Sequence, residues 1–225
     1  DNPNSSLSRY ISTAIREFGT ENSHIFFENN QLNYSELIVA LQEAEKNHEP
    51  ILLLGASFSY VHLLAYLQQH HQSFNLAKES IIFDTGGFKG KSKEVSMTDL
   101  YADLESTFKV TREQIINMYG MTEISSQCYD RNLMDHSENK TVYFDKIAPA
   151  WVKTQVLDTE TLQPVVQGQR GLLAYYDLAN WDSCVLILTE DIVIKNNHGF
   201  TVIGRAKGSV AKGCSITADE LLQLQ

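Results

Sequence analysis

The sequence predicts an α/β protein: a mainly parallel sheet with flanking helices, followed by a small antiparallel β unit. Three observations carry this prediction. Apolar, strand-length runs in the first 140 residues are separated by helical patterns, and parallel strands need such crossovers. Three of these runs end in turns that carry glycine or polar residues, at Gly55, at Asp84 and at Tyr119. After about Thr141 the helical signal fades and short β runs follow one another, as in antiparallel units.

Taken in order, Ser5 or Ser6 can cap a helix to about Phe18, which sets Leu7, Tyr10, Ile11, Ala14 and Ile15 on one face. A second helix is expected at 34–47. The run 50–55, PILLLG, reads as a buried strand that turns at Gly55 into an apolar helix to about His71. The run 80–84, SIIFD, repeats the strand pattern before Gly86 and Gly87. A helix at 98–108 then precedes a strand at 114–118. Strands are expected at 141–144, 152–157, 171–176, 184–188, 192–195 and 200–203, and a last helix at 217–224. The domain boundaries that follow are 1–140, 141–203 and 204–225.

A chain of 225 residues, 43% hydrophobic and 10% aromatic, can bury the core of one large or two small domains. Its formal charge of −10 argues against a generic nucleic-acid or anionic-membrane surface, which would repel it. An anionic ligand must then be met locally, by backbone N–H groups, a few Lys or Arg, or a metal ion. Cys128, Cys184 and Cys214 show neither paired nor metal-ligand spacing and read as reduced thiols in a cytoplasmic setting. The polar start and the strand-sized apolar runs predict no signal peptide and no membrane span.

Four stretches carry chemistry. Asp84-Thr-Gly-Gly-Phe-Lys-Gly-Lys-Ser92 follows a strand, where ligands of open α/β sheets bind. Its glycines permit close backbone approach, and Lys89 and Lys91 can meet phosphate. It is one residue short of a Walker loop, and a glycine-rich turn is also simply a turn. Gly55-Ala-Ser-Phe-Ser59 has Ser57 after a strand but lacks the second glycine of a nucleophile elbow, which favours a plain strand-to-helix turn.

In Met118-Tyr-Gly-Met-Thr-Glu123, Tyr119 offers a flat ring, Gly120 lets the backbone approach, Thr122 can donate to an anionic oxygen, and Glu123 can hold a hard cation such as Mg2+. Read alone, it is equally an ordinary capped loop. In Leu188-Thr-Glu-Asp-Ile192, Asp191 at a strand edge can take two ribose hydroxyls, or be a turn acid. The histidines, with His70 and His71 at a helix end and His62 among apolar residues, read as packed or surface rings.

With "FDTGGFKGKS", "MYGMTE", "LTED" and "IGRAKG" in one chain, the sequence resembles the adenylate-forming (acyl-CoA synthetase-like) superfamily. "TGGFKGKS", "YYDLAN" and "KGCSI" make it most similar to the acyl-protein synthetase (LuxE-like) branch. The resemblance runs from about Ile51 to the end. It implies ATP and Mg2+ as cofactors and a carboxylic, fatty acid as substrate. It places adenine against Tyr119 and Gly120, the α-phosphate on Thr122, Mg2+ on Glu123, ribose on Asp191, and Arg205 beside the nucleotide. Gly86 and Gly87 lie by the adenine and acyl group, and the 1–140 subdomain carries the adenine and Mg2+ site. Arg205 stands at the junction with a C-terminal subdomain, and Lys207 occupies the usual place of an acidic hinge residue.

The implied reaction attaches the acid to AMP, then passes the acyl group to Cys214, in Lys212-Gly-Cys-Ser, and on to an acyl-acceptor reductase protein. Lys212 can lower the pKa of that thiol, while Cys128 and Cys184 read as packing. Nothing before Ile51 resembles the family's Ser/Thr/Gly-rich phosphate loop, and 204–225 looks like a truncated C-terminal segment. The expectation is therefore a C-terminal portion of a longer enzyme. Alternative readings are an acyl- or aryl-CoA ligase, with coenzyme A as acceptor, and a non-catalytic nucleotide- or acyl-binding module.

Overall fold

A computed structural model of the chain describes residues 6–28, 31–86 and 95–206. The expectations for Gly87, Lys89, Lys91, Lys207, Lys212, Cys214 and the helix at 217–224 lie outside these residues. The chain divides into two compact units, the first reaching Ile115 and the second beginning at Ile116. Helices and parallel strands come first and antiparallel strands after, the α/β class expected from the sequence.

The first unit holds α1 (Ser6–Phe18), a ribbon of β1 (Phe27–Glu28) and β2 (Gln31–Leu32), α2 (Tyr34–Asn47), β3 (Leu52–Ala56), α3 (Ser57–Gln69), β4 (Ile81–Thr85) and α4 (Met97–Phe108). Local chemistry sets the helix starts. Asn33 accepts the Glu36 N–H ahead of α2 at 3.3 Å, and Ser96 accepts the Asp99 N–H ahead of α4 at 3.1 Å, caps worth about 1 kcal/mol each. α2 ends at His48 in the left-handed conformation.

β3 and β4 are parallel, in register from Leu52 opposite Ile81 to Ala56 opposite Thr85, and α3 is the crossover that parallel pairing requires. Leu41, Leu67, Ile82, Leu104, Phe108 and Ile115 form the buried centre. The Tyr60 hydroxyl donates to the carbonyls of Leu53 (2.7 Å) and Phe83 (3.1 Å), tying the two strands from above. Gly55 makes room for that ring, since a Cβ there would stand 3.2 Å from it.

The second unit holds β5 (Ile115–Tyr119), β6 (Cys128–Asp130), α5 (Asn132–Ser137), β7 (Lys146–Ile147), β8 (Val152–Leu157), β9 (Arg170–Asp177), β10 (Leu186–Lys195) and β11 (Phe200–Arg205). The strands lie in the order β5-β6-β7-β11-β10-β9-β8, every neighbour antiparallel. Leu173, Tyr175, Val193 and Phe200 are the fully buried centre.

Three expectations are corrected here. No strand forms at 141–144, because the Tyr143 N–H is taken by the Asp135 carboxylate at 3.0 Å rather than by a ladder. That carboxylate also binds Arg131 across one turn of α5, a short helix the sequence reading did not contain, in a buried pair at 2.6 Å. The separate strands at 184–188 and 192–195 are one strand, β10, whose pairing shifts register with β9 between Leu188 and Ile192 and with β11 between Ile192 and Val193. Gly199 lets β11 reach β7, because a Cβ there would sit 2.0 Å from the Lys146 carbonyl oxygen.

Candidate nucleotide site

The register shifts of β10 give Asp191 its position. Irregular pairing re-aims a side chain that a regular ladder would fix by alternation. Asp191 is thus inside a long strand, between β9 and β11, and not at the strand edge expected from the sequence. β11 sets Arg205 directly opposite it, and the Arg205 Nε donates to Asp191 Oδ1 at 3.3 Å. The hydroxyl of Tyr119, the last residue of β5, donates to Asp191 Oδ2. Burial first, and the Asp191 carboxylate next, push the Tyr119 pKa well above the usual phenol range, so this hydroxyl stays a donor at neutral pH.

The Tyr119 ring is held by two others. It stacks with Tyr175, centroids 6.1 Å apart and planes 9° from parallel, and meets Phe200 edge-on at 5.7 Å. Beneath it, Cys128 is buried and within 3.6 Å of the Tyr175 hydroxyl, and burial pushes its pKa up to about 11. Cys128 is therefore a packing thiol, as the sequence reading has it. Cys184 is not: it is exposed, with its Sγ donating to the Leu186 carbonyl at 3.1 Å, because it precedes β10 rather than forming part of it. Asp130, nearby on β6, accepts the Asn117 N–H at 3.0 Å and forms a buried ion pair with Lys146.

Gly120, Thr122 and Glu123 follow Tyr119 in the loop to β6, with the side chains of Thr122 and Glu123 exposed. Side chains missed at the sequence level hold this loop. Asn180 Nδ2 donates to the Glu123 carbonyl at 2.7 Å, and its Oδ1 accepts the Ser125 N–H at 2.8 Å. Asp177 accepts the Ser126 N–H (3.0 Å) and hydroxyl (2.9 Å), and Trp151 Nε1 donates to the same hydroxyl at 2.9 Å. The visible signal was "YYDLAN", which contains both Asp177 and Asn180. Alongside lies a pocket of about 540 Å3 lined by Ser126, Tyr129, Ile147, Ala148, Pro149 and Trp151.

In the first unit, Gly86 has φ 92°, a backbone conformation that glycine adopts without strain. Before it, Asp84 is buried and accepts from Ser57 Oγ (2.7 Å) and the Tyr101 hydroxyl (3.1 Å). Ser57 is thus a buried partner of Asp84 at a strand-to-helix turn. His62 packs edge-on against Phe58 at 4.4 Å, and burial lowers its pKa. Among the described residues, no helix is long and apolar enough to cross a membrane.

The fold is that of the adenylate-forming enzymes. It superposes on ATP-bound MatB from Rhodopseudomonas palustris with a TM-score of 0.54 at 14% identity, covering 80% of this chain and 34% of that one. It superposes on 2-hydroxyisobutyryl-CoA ligase in an open conformation, in complex with 2-HIB-AMP and CoA, with a TM-score of 0.52 at 16% identity, covering 80% and 41%. Residues 8–223 match the family model for "Acyl-protein synthetase, LuxE", and the chain belongs to that family.

Two relatives are long-chain-fatty-acid--luciferin-component ligases. The one from Aliivibrio fischeri is 25% identical over 207 residues, covering 87% of this chain and 52% of the relative. The one from Vibrio harveyi is 22% identical over 199 residues, covering 84% and 50%. The chain spans about half the length of these curated relatives.

Proposed function

We propose that the protein activates a fatty carboxylic acid with ATP and transfers the acyl group through a cysteine to a protein acceptor. The observation that carries this reading is the meeting of Tyr119, Asp191 and Arg205, contributed by three strands, at the mouth of the Thr122–Glu123 loop. The side chains present suit the nucleotide: an aromatic ring, a half-buried carboxylate able to accept from two hydroxyls, an adjacent guanidinium, and an exposed Thr and Glu on a pinned loop. In this reading Tyr119 and Gly120 flank adenine, Asp191 binds ribose, Thr122 takes the α-phosphate, and Glu123 holds Mg2+. The bound Mg2+ would supply charge neutralisation on the phosphates.

The substrate carboxylate attacks the α-phosphorus in line. A new P–O bond forms and the bond to pyrophosphate breaks, giving a mixed anhydride and pyrophosphate. This chemistry depends on alignment and charge neutralisation, which the fixed loop and Arg205 supply. The Cys214 thiolate then attacks the acyl carbon, forming C–S as C–O breaks and AMP leaves. The apolar wall of the pocket beside Ser126 suits the acyl chain.

The test incubates the intact natural protein with ATP, Mg2+ and radiolabelled fatty acid, without coenzyme A. The expected result is label held covalently by the wild type and lost in Cys214→Ser, with acid-dependent ATP–pyrophosphate exchange kept in both. Label that Cys214→Ser retains, or that forms only as a free coenzyme A thioester once coenzyme A is added, sinks the cysteine step. The absence of any acid-dependent exchange sinks the adenylation reading.

A further inference from the structure

We propose that Asn180, carried on a turn fixed by Asp177, is a positioning residue that sets where the Glu123 loop presents its carboxylate. This rests on the adenylation reading above. Asp177 and Asn180 are 0% and 5% exposed, and burying polar groups costs free energy unless every one is bonded. What these two do is hold an exposed loop.

The arrangement is nested. Asp177 ends β9 and accepts the Ala179 N–H at 2.9 Å, which fixes the single turn Leu178–Asn180. The same carboxylate holds Ser126. From that turn Asn180 reaches the backbone on both sides of Ile124, donating to the Glu123 carbonyl and accepting from Ser125. Ile124 is itself buried, and its N–H donates to the Met121 carbonyl at 3.3 Å. Every residue from Glu123 to Ser126 is therefore held by a side-chain bond or by burial, while the Glu123 carboxylate stays exposed. A cation ligand on a loop so held keeps its geometry without reorganising when charge develops. Partners that orient a metal ligand in this way are typically worth about ten- to a hundred-fold in metal affinity.

The test uses Asn180→Asp, which keeps the size and the acceptor for Ser125 but sets a second acceptor against the Glu123 carbonyl, and Asn180→Ala. In the intact natural protein, ATP–pyrophosphate exchange is followed across a Mg2+ series. AMP affinity without Mg2+, the melting temperature, and the Mg2+-dependent part of the ATP-induced melting shift are measured alongside. The expected result is a half-saturating Mg2+ concentration raised about ten-fold or more in Asn180→Asp, with a smaller Mg2+-dependent melting shift and unchanged AMP affinity. The proposal is overturned if the Mg2+ requirement does not move. It is equally overturned if AMP affinity and melting temperature fall in step with exchange, or if both variants are unfolded, since Asn180 would then be a folding residue. A wild type without acid-dependent exchange removes the adenylation reading and this proposal together, whereas an active wild type with unshifted variants removes only the proposal.

Discussion

Asp191 holds two partners at once, the Tyr119 hydroxyl and the Arg205 guanidinium, and both touch the oxygens to which ribose hydroxyls would donate in the proposed reading. Removing the carboxylate takes away the acceptor of the Tyr119 hydroxyl and one partner of Arg205. Asp191→Ala should therefore raise the KM for ATP by about ten- to a hundred-fold, with a smaller effect on the apparent affinity for the acid, since hydrogen bonds to a charged group contribute about 1.5–3 kcal/mol. Steady-state pyrophosphate exchange with each substrate varied in turn reads this directly.

Cys128 shows the opposite use of a reactive group. Its pKa is raised to about 11, chiefly by burial, against 9.0 for a free thiol. A pKa raised on folding means that stability is fully present below the unfolded value and is lost as pH rises through the folded one. The window is pH 9 to about 11, a difference on the order of a few kcal/mol. Melting temperature should fall across that window, and Cys128→Ala should flatten the fall. At pH 8, Cys184 should react with a thiol reagent in the folded chain and Cys128 only on unfolding, as mass spectrometry of the labelled peptides would show.

At the scale of elements, the caps and turns of the first unit were readable because they are local. Helices α2 and α4 begin and end within a residue of their expected bounds, since capping side chains and apolar spacing act over a few residues. The second unit was less legible. Strands β6 and β7 contain only three and two residues and exist because their neighbours pair with them. The strand expected at 141–144 failed for a tertiary reason, the capture of the Tyr143 N–H by Asp135. Gly199 is the most exacting contact among these elements. Gly199→Ala would force its Cβ onto the Lys146 carbonyl, separating β7 from β11. The expected cost is roughly 2 kcal/mol or more, within the range for overpacking, read as a lower urea midpoint with an unchanged slope.

For the whole molecule, the formal charge of −10 leaves any phosphate recognition to local groups, which in the proposed reading are Thr122, Arg205 and a Mg2+ held by Glu123. Asp191 is balanced by Arg205, and Thr122 and Glu123 stand exposed on a loop whose backbone is fixed from below. The thiol step belongs at this scale as well. Cys214 lies outside the described residues, so retention of label by the wild type and its loss in Cys214→Ser reports on the intact protein and not on one element.

The sequence by itself determined the α/β class, the order of the main elements, the family, and Tyr119, Thr122, Glu123, Asp191 and Arg205 as candidates. These depend on composition, periodicity and ordered motifs, all of which are local in the chain. Only the tertiary structure decided that Tyr119, Asp191 and Arg205 touch, because residues 72 and 14 positions apart meet through strand pairing and a register shift that no local pattern encodes. It alone also revealed Asp177 and Asn180 as holders of the Glu123 loop. Their bonds reach more than 50 positions along the chain, and the cost of burying them is met only where the fold brings donor and acceptor together.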